Sequence, residues 1–182
     1  MPEPYRLGGS QPSKDEQLSM ADPLDSIERQ HIGQESLCAV LEEIADGLPG
    51  KVDAALMTKA LAGLSNELPR LQRDMNEGLF PLLQAQCLPE DHIEEVVFRL
   101  SMEDTTDLSF AGEIIEALGA MAGGAPVRNP NTLGYMLRGF FESYRRHLHW
   151  QRSVILPLAR KRLSQADLCE LGERMRALNG RH

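Results

Sequence analysis

The sequence predicts an all-α protein, an antiparallel up-down four-helix bundle closed by a short fifth C-terminal helix. Three observations lead to that class. Aromatic residues make up only 5% of the chain and β-branched runs are scarce, a poor composition for sheets. Apolar residues recur at alternating spacings of three and four along four long stretches, the period of a helix with one buried face. Each stretch is bounded by Pro, Gly or Asn with short connections between, which makes neighbours antiparallel. With 182 residues, 42% of them hydrophobic, the chain is long enough for one domain with a real core.

Residues 1–21 are rich in Pro, Gly, Ser, Gln and charge and read as a disordered leader. The domain is expected over residues 22–178. Asp22 is placed to cap the first helix, with Pro23 at its first position. Its inner stripe is Leu24, Ile27, His31, Cys38, Leu41 and Ala45, and Gly47 with Pro49-Gly50 ends it. The second helix is expected from about Val52 to Gln86, on Leu56, Leu64, Leu68, Leu71, Met75, Leu79 and Leu82, with no polar residue in mid-stripe. Pro69 and Pro81 lie inside it and predict a kink.

Pro89-Glu90-Asp91 is read as the start of the third helix, which runs to about Met121 on Ile93, Val97, Leu100, Asp104, Leu108, Ala111, Ile115 and Leu118. Gly123-Gly124-Ala125-Pro126 breaks it. Asn129-Pro130 opens the fourth helix, whose stripe is Leu133, Leu137, Phe140, Tyr144, His147, Gln151, Ile155 and Leu158. The flanking Glu142, Arg145, Arg146 and Arg152 are expected in solvent. Ser164-Gln165-Ala166-Asp167 resembles a capping box with Asp in place of Glu, opening a fifth helix that ends near Asn179-Gly180 and packs across one end of the bundle.

A net charge of −8 argues against a nucleic-acid partner. The locally basic run from Arg145 to Arg162 reads as a solvated helix face. Cys38, Cys87 and Cys169 are isolated and show no C-x-x-C spacing, which fits reduced thiols in a cytoplasmic protein. No apolar run is long enough for a membrane span, and there is no signal-peptide pattern at the N-terminus. No nucleophile motif, phosphate-cradling glycine loop or buried carboxylate pair marks an enzyme, so a non-enzymatic role is expected.

His31, Asp104, His147 and Gln151 are polar residues in mid-stripe on three helices. In an antiparallel bundle such positions meet at one level and form a polar layer. Buried without partners, each would cost about 1–3 kcal/mol. They therefore either bond one another or bind something. His92, His149 and Glu35 lie off the stripes and are expected at the surface or its edge.

Three stretches bear on ancestry: Glu67 to Cys87 around Leu79-Phe80-Pro81, Arg99 to Asp107, and Arg145 to Ser164. On these the chain resembles the hemerythrin-like, or HHE cation-binding, family over roughly Asp22 to Ala177. The resemblance implies two irons held by a His on the first helix, an H-x-x-x-E pair on the second, a His on the third, and an H-x-x-x-E or H-x-x-x-D pair on the fourth. Those positions fall on His31; on Leu71 and Met75; on Asp104, next to Glu103; and on His147 and Gln151. Two of the six match, and both bridging carboxylates are absent. The resemblance with these departures implies a domain without its di-iron centre and without a cofactor, acting as an interaction or regulatory protein on a partner the sequence does not name. The alternative is a metal-dependent sensor or binder of iron, oxygen or nitric oxide, with one mononuclear iron or zinc site made by His31, Asp104 and His147. Oligomeric state is not readable.

Overall fold

The computed structural model describes residues 22–125 and 129–180; the expected leader, and Pro126 at the third helix break, lie outside the described residues. Among the described residues there are five helices and no strand. Helix α1 is Pro23–Gly47, capped by Asp22, whose Oδ1 accepts the Leu24 amide at 2.9 Å. Helix α2 spans 54–86, α3 is Ile93–Ala122, α4 spans 130–162 and α5 is Gln165–Asn179. Asn129 caps α4 through the Thr132 amide, and Ser164 and Asp167 form the reciprocal box that starts α5.

The packing order follows the chain around a ring: α1 lies against α2 and α4, and α3 against α2 and α4. Ion pairs along the α1–α4 seam give the direction. Arg138 meets Asp46, Arg145 meets Glu42, Arg152 meets Glu35, and Arg160 meets Asp25 and Glu28. As the α4 number rises the α1 number falls, so the two helices are antiparallel. The arginines recur about every seven residues, beside the buried Leu137, Tyr144 and Gln151. The basic run is thus paired with α1 acids rather than solvated alone, although exposed pairs of this kind contribute only about 0–1 kcal/mol each.

The prolines inside α2 and α4 share one accommodation. The π segments Gly63–Glu67, Asp74–Leu79 and Gln151–Ile155 each end two residues before Pro69, Pro81 and Pro157. A helical proline clashes with the carbonyl four residues earlier and cannot bond it. Those carbonyls belong to Ser65, Glu77 and Ser153, all within the widened segments. Each proline is therefore accommodated by local widening of the helix. Gly63 also matters for packing: a Cβ there would lie 2.8 Å from Leu37 Cδ1, so α1 and α2 approach closely at this point.

Three expectations are corrected. Pro89–Asp91 is a separate 3-10 turn. Asp91 accepts the Leu88 amide and pairs with Arg162, and His92 takes φ 49°, so α3 begins only at Ile93. The α3 stripe runs through Asp107 (5% exposed) and Ile114 (0%), not through Leu108, which is 43% exposed, or Ile115, which is half-buried. Helix α2 does carry buried polar residues, Gln72 and Asp74. Asp74 is needed where α5 docks: its carboxylate accepts from Gln30 of α1 (2.9 Å) and Asn179 of α5 (3.1 Å). Helix α5 buries Leu171, Met175 and Leu178 and packs on α1 and the Asp74–Leu79 segment.

Candidate functional site

The mid-stripe polar residues meet in the core. His31 is fully buried on α1, and its Nδ1 lies 2.8 Å from the Ile27 carbonyl one turn back. That carbonyl can only accept, so Nδ1 carries the proton and Nε2 turns towards α4. There Gln151 opens the π segment, with Oε1 2.7 Å from His31 Nε2 and its amide nitrogen 2.7 Å from His147 Nε2. The other face of His147 meets α3: Nδ1 is 3.0 Å from Glu103 Oε2, and Nε2 is 3.2 Å from Asp104 Oδ1. Helix α2 completes the layer. Asn76 donates to Asp104 Oδ2 at 2.6 Å, Gln72 donates to the Asp104 carbonyl at 3.2 Å, and Ser101 of α3 donates to Asn76 at 2.7 Å.

The two histidines differ in charge preference. Burial holds the His31 pKa below its usual value. Burial also opposes a charge on His147, but the Asp104, Asp107 and Glu103 carboxylates outweigh it and raise that pKa. A neutral His31 with its proton on Nδ1 has none to give a carbonyl oxygen. A carboxamide turned over fills the same volume, donates from NH2 to His31 and accepts the Nε2–H of His147. The proton inventory favours that orientation, with Gln151 relaying between a neutral and a readily charged ring. Tyr144 packs beside His147, ring centroids 6.0 Å apart, and its hydroxyl donates to Gln34 at 3.3 Å.

Asp107 lies one turn along α3 from Asp104. Its Oδ2 is buried without a hydrogen-bond partner, whereas Oδ1 of Asp104 faces His147 Nε2 at 3.2 Å. Burial pushes the Asp107 carboxyl up to about 6; the His147 charge works against this, and Asp104 and Glu103 add to it. Asp104, Asp107 and His147 each offer a ligand atom, all within 4.8 Å of one another. Of the three metal candidates read from sequence, the structure groups Asp104 and His147. His31 stands apart, joined to His147 through Gln151. Glu35 pairs with Arg152 at the surface, and His92 and His149 are exposed.

Sequence reasoning missed Asp107, Gln34, Gln72 and Asn76. A signal existed for two of them. Asp107 is three residues after Asp104 and Gln34 three after His31, a spacing that shares a face. Gln72 and Asn76 sit beside the apolar stripe of α2, where nothing in the pattern marks them.

The donor set does not fit a pair of bridged irons. The positions that the resemblance gives to the second-helix ligands hold Leu71 (1% exposed) and Met75 (0%), packed into the core. The remaining bridging position holds a neutral amide that already contacts both rings. A thioether and an amide supply no anionic charge to hold two adjacent cations.

A family model described as the hemerythrin HHE cation binding domain matches residues 22–159. No curated protein and no solved structure matches the chain.

Proposed function

The chain belongs to the hemerythrin HHE cation-binding domain family, and from that premise we propose that it is a non-enzymatic interaction or regulatory module whose di-iron centre has given way to a hydrogen-bonded polar layer. One observation carries the reading: Gln151 stands where the family pattern has a bridging carboxylate, 2.7 Å from both His31 and His147. The space of the lost ligands is filled by Leu71 and Met75, whose burial stabilises the core by about 1.5–3 kcal/mol each without metal. A non-enzymatic role is supported by the burial of the layer: His31, Asp104 and His147 are at most 3% exposed, which closes them to a substrate. An interaction role is supported by Phe98 and Met102, 71% and 56% exposed one turn apart on α3. No helix among the described residues is long and apolar enough to cross a membrane. Cytoplasmic residence belongs to the same reading, on the free Cys38, Cys87 and Cys169.

A second reading, a domain that binds a single metal ion and senses or handles iron, oxygen or nitric oxide, is favoured by the Asp104–Asp107–His147 group. Elemental analysis and the optical spectrum of protein expressed in iron-supplemented medium test the first reading. The expected result is no bridged di-iron absorption and less than one iron per chain. Two tightly held irons per chain with such bands would overturn it.

A further inference from the structure

We propose that the outer face of α3 docks a basic amphipathic helix of a partner protein, one with apolar residues along its middle and Lys or Arg at both ends. The inference rests on the reading of the chain as an interaction module and supplies the chemistry of its partner.

The pattern of exposed residues is the first ground. Phe98, Met102, Thr105 and Ser109 follow one another at helical spacing and are all exposed, so they form one stripe. Glu94 and Glu95 continue it towards the start of α3, and Glu113 and Glu116 towards its end. The middle of the stripe carries no charge. The two charged side chains beside it are engaged on α4: the Arg99 guanidinium lies 4.4 Å from the centre of the Trp150 ring, and Glu103 meets His147. A solvent-facing helix surface normally carries charged and polar residues along its length. Here Phe98 and Met102 stand in the open on an uncharged surface, the mark of a face that meets another protein. Thr105, Ser109 and Gly112 are small, and among the described residues a Cβ on Gly112 would meet nothing within 4 Å. A partner helix therefore has room to approach to about 8–10 Å between axes.

Charge is the second ground, and it names the occupant. Among the described residues no ion pair takes up Glu94, Glu95, Glu113 or Glu116. At ~1.5 Å per residue the two acidic ends lie about 30 Å apart, a distance that a helix of about 20 residues with a basic group at each end spans. Glu113 and Glu116 also border a cleft of about 640 Å³ between the end of α3 and the start of α4, with Ala117, Leu133 and Met136 on its walls. Apolar walls beside two carboxylates suit a Lys or Arg, whose stem packs on the walls while the charged head reaches the oxygens. A second copy of this chain fits the stripe poorly. Packed in register, parallel or antiparallel, it sets acids against acids at both ends. Residues 1–21 are no better matched, since they hold three acids, Glu3, Asp15 and Glu16, against two bases, Arg6 and Lys14.

The test titrates the full chain, by calorimetry at low and at high salt, with a synthetic helical peptide of about 20 residues. The peptide carries a Leu stripe through its middle and Lys pairs at both ends. A control peptide of the same composition has the Lys pairs moved to the centre of its polar face. One peptide per chain is expected, bound about tenfold tighter than the control and weakened by salt. Phe98→Ser and Met102→Ser should each weaken binding about tenfold. Glu113→Gln with Glu116→Gln should weaken it about three- to tenfold and flatten the salt dependence. Ile32→Ser, exposed on α1, should leave it unchanged. All these positions are exposed, and circular dichroism checks that each variant folds. No binding at millimolar peptide overturns the inference. So does binding that ignores Phe98→Ser and follows the glutamates alone, which is general charge attraction. A dimer in sedimentation that Phe98→Ser dissolves would give the face to a second copy and overturn it too. Each of these results leaves the loss of the di-iron centre standing, whereas two irons per chain would overturn that reading whatever the peptide does.

Discussion

The amide of Gln151 lies 2.7 Å from the ring of His31, a residue 120 positions earlier and on the facing helix. This contact joins α1 to α4 at the polar layer. It also sets the state of His31, because the ring's other nitrogen is already committed to the Ile27 carbonyl at 2.8 Å.

Replacing Gln151 with Leu keeps roughly the same volume and removes both ring contacts. Two buried imidazole nitrogens then lose a partner, at about 1–3 kcal/mol each. Metal-stripped Q151L is expected to be about 2–4 kcal/mol less stable than the parent in urea unfolding at neutral pH. A variant as stable as the parent would mean that the relay contributes nothing to the fold.

Following the ring protons of the two histidines by NMR in metal-stripped protein should separate them. His147 is expected to titrate above the usual histidine value and His31 below it, in line with their opposed shifts. The effects on stability have opposite sign. His147 contributes stability that is full below pH ~6.5 and is lost as pH rises through its raised folded value. For His31 the unfolded chain takes the proton more readily, so its share is lost as pH falls through ~6.5. Reversed order in the spectra would contradict the assignment of charge to His147.

Asp107 tests the burial of an unpaired carboxyl. Its native value of about 6 lies above the ordinary 3.8, so the folded state holds the proton more tightly. Stability therefore falls as pH rises from about 4 to about 6, and stays lower above that. Asp107→Asn removes the titration. In metal-stripped protein the variant should be more stable than the parent at pH 7 by about 1–3 kcal/mol, with the gain vanishing near pH 4. Urea unfolding at the two pH values measures it; a variant destabilised at pH 7 but not near pH 4 would show that Asp107 is bonded as a charged group.

The sequence by itself determined the elements and their faces. Asp22-Pro23, Asn129-Pro130 and Ser164 with Asp167 are local devices whose hydrogen bonds close within two or three residues, so the caps follow from the chain alone. The alternating spacing placed His31, Asp104, His147 and Gln151 inside, and all four are buried. The tertiary structure decided what that spacing leaves open. After Asp104 the helical period admits either Asp107 or Leu108 on the inner face. Hydrophobicity favours Leu108, but the rotation of α3 against α4 buries Asp107. The partners of the polar residues were equally hidden, since Glu103 meets His147 and Arg145 meets Glu42 across helices distant in the chain. Such contacts depend on the rotation and register of two helices to within one side chain. Packing of the whole core fixes those quantities, whereas periodicity fixes only which face turns inward.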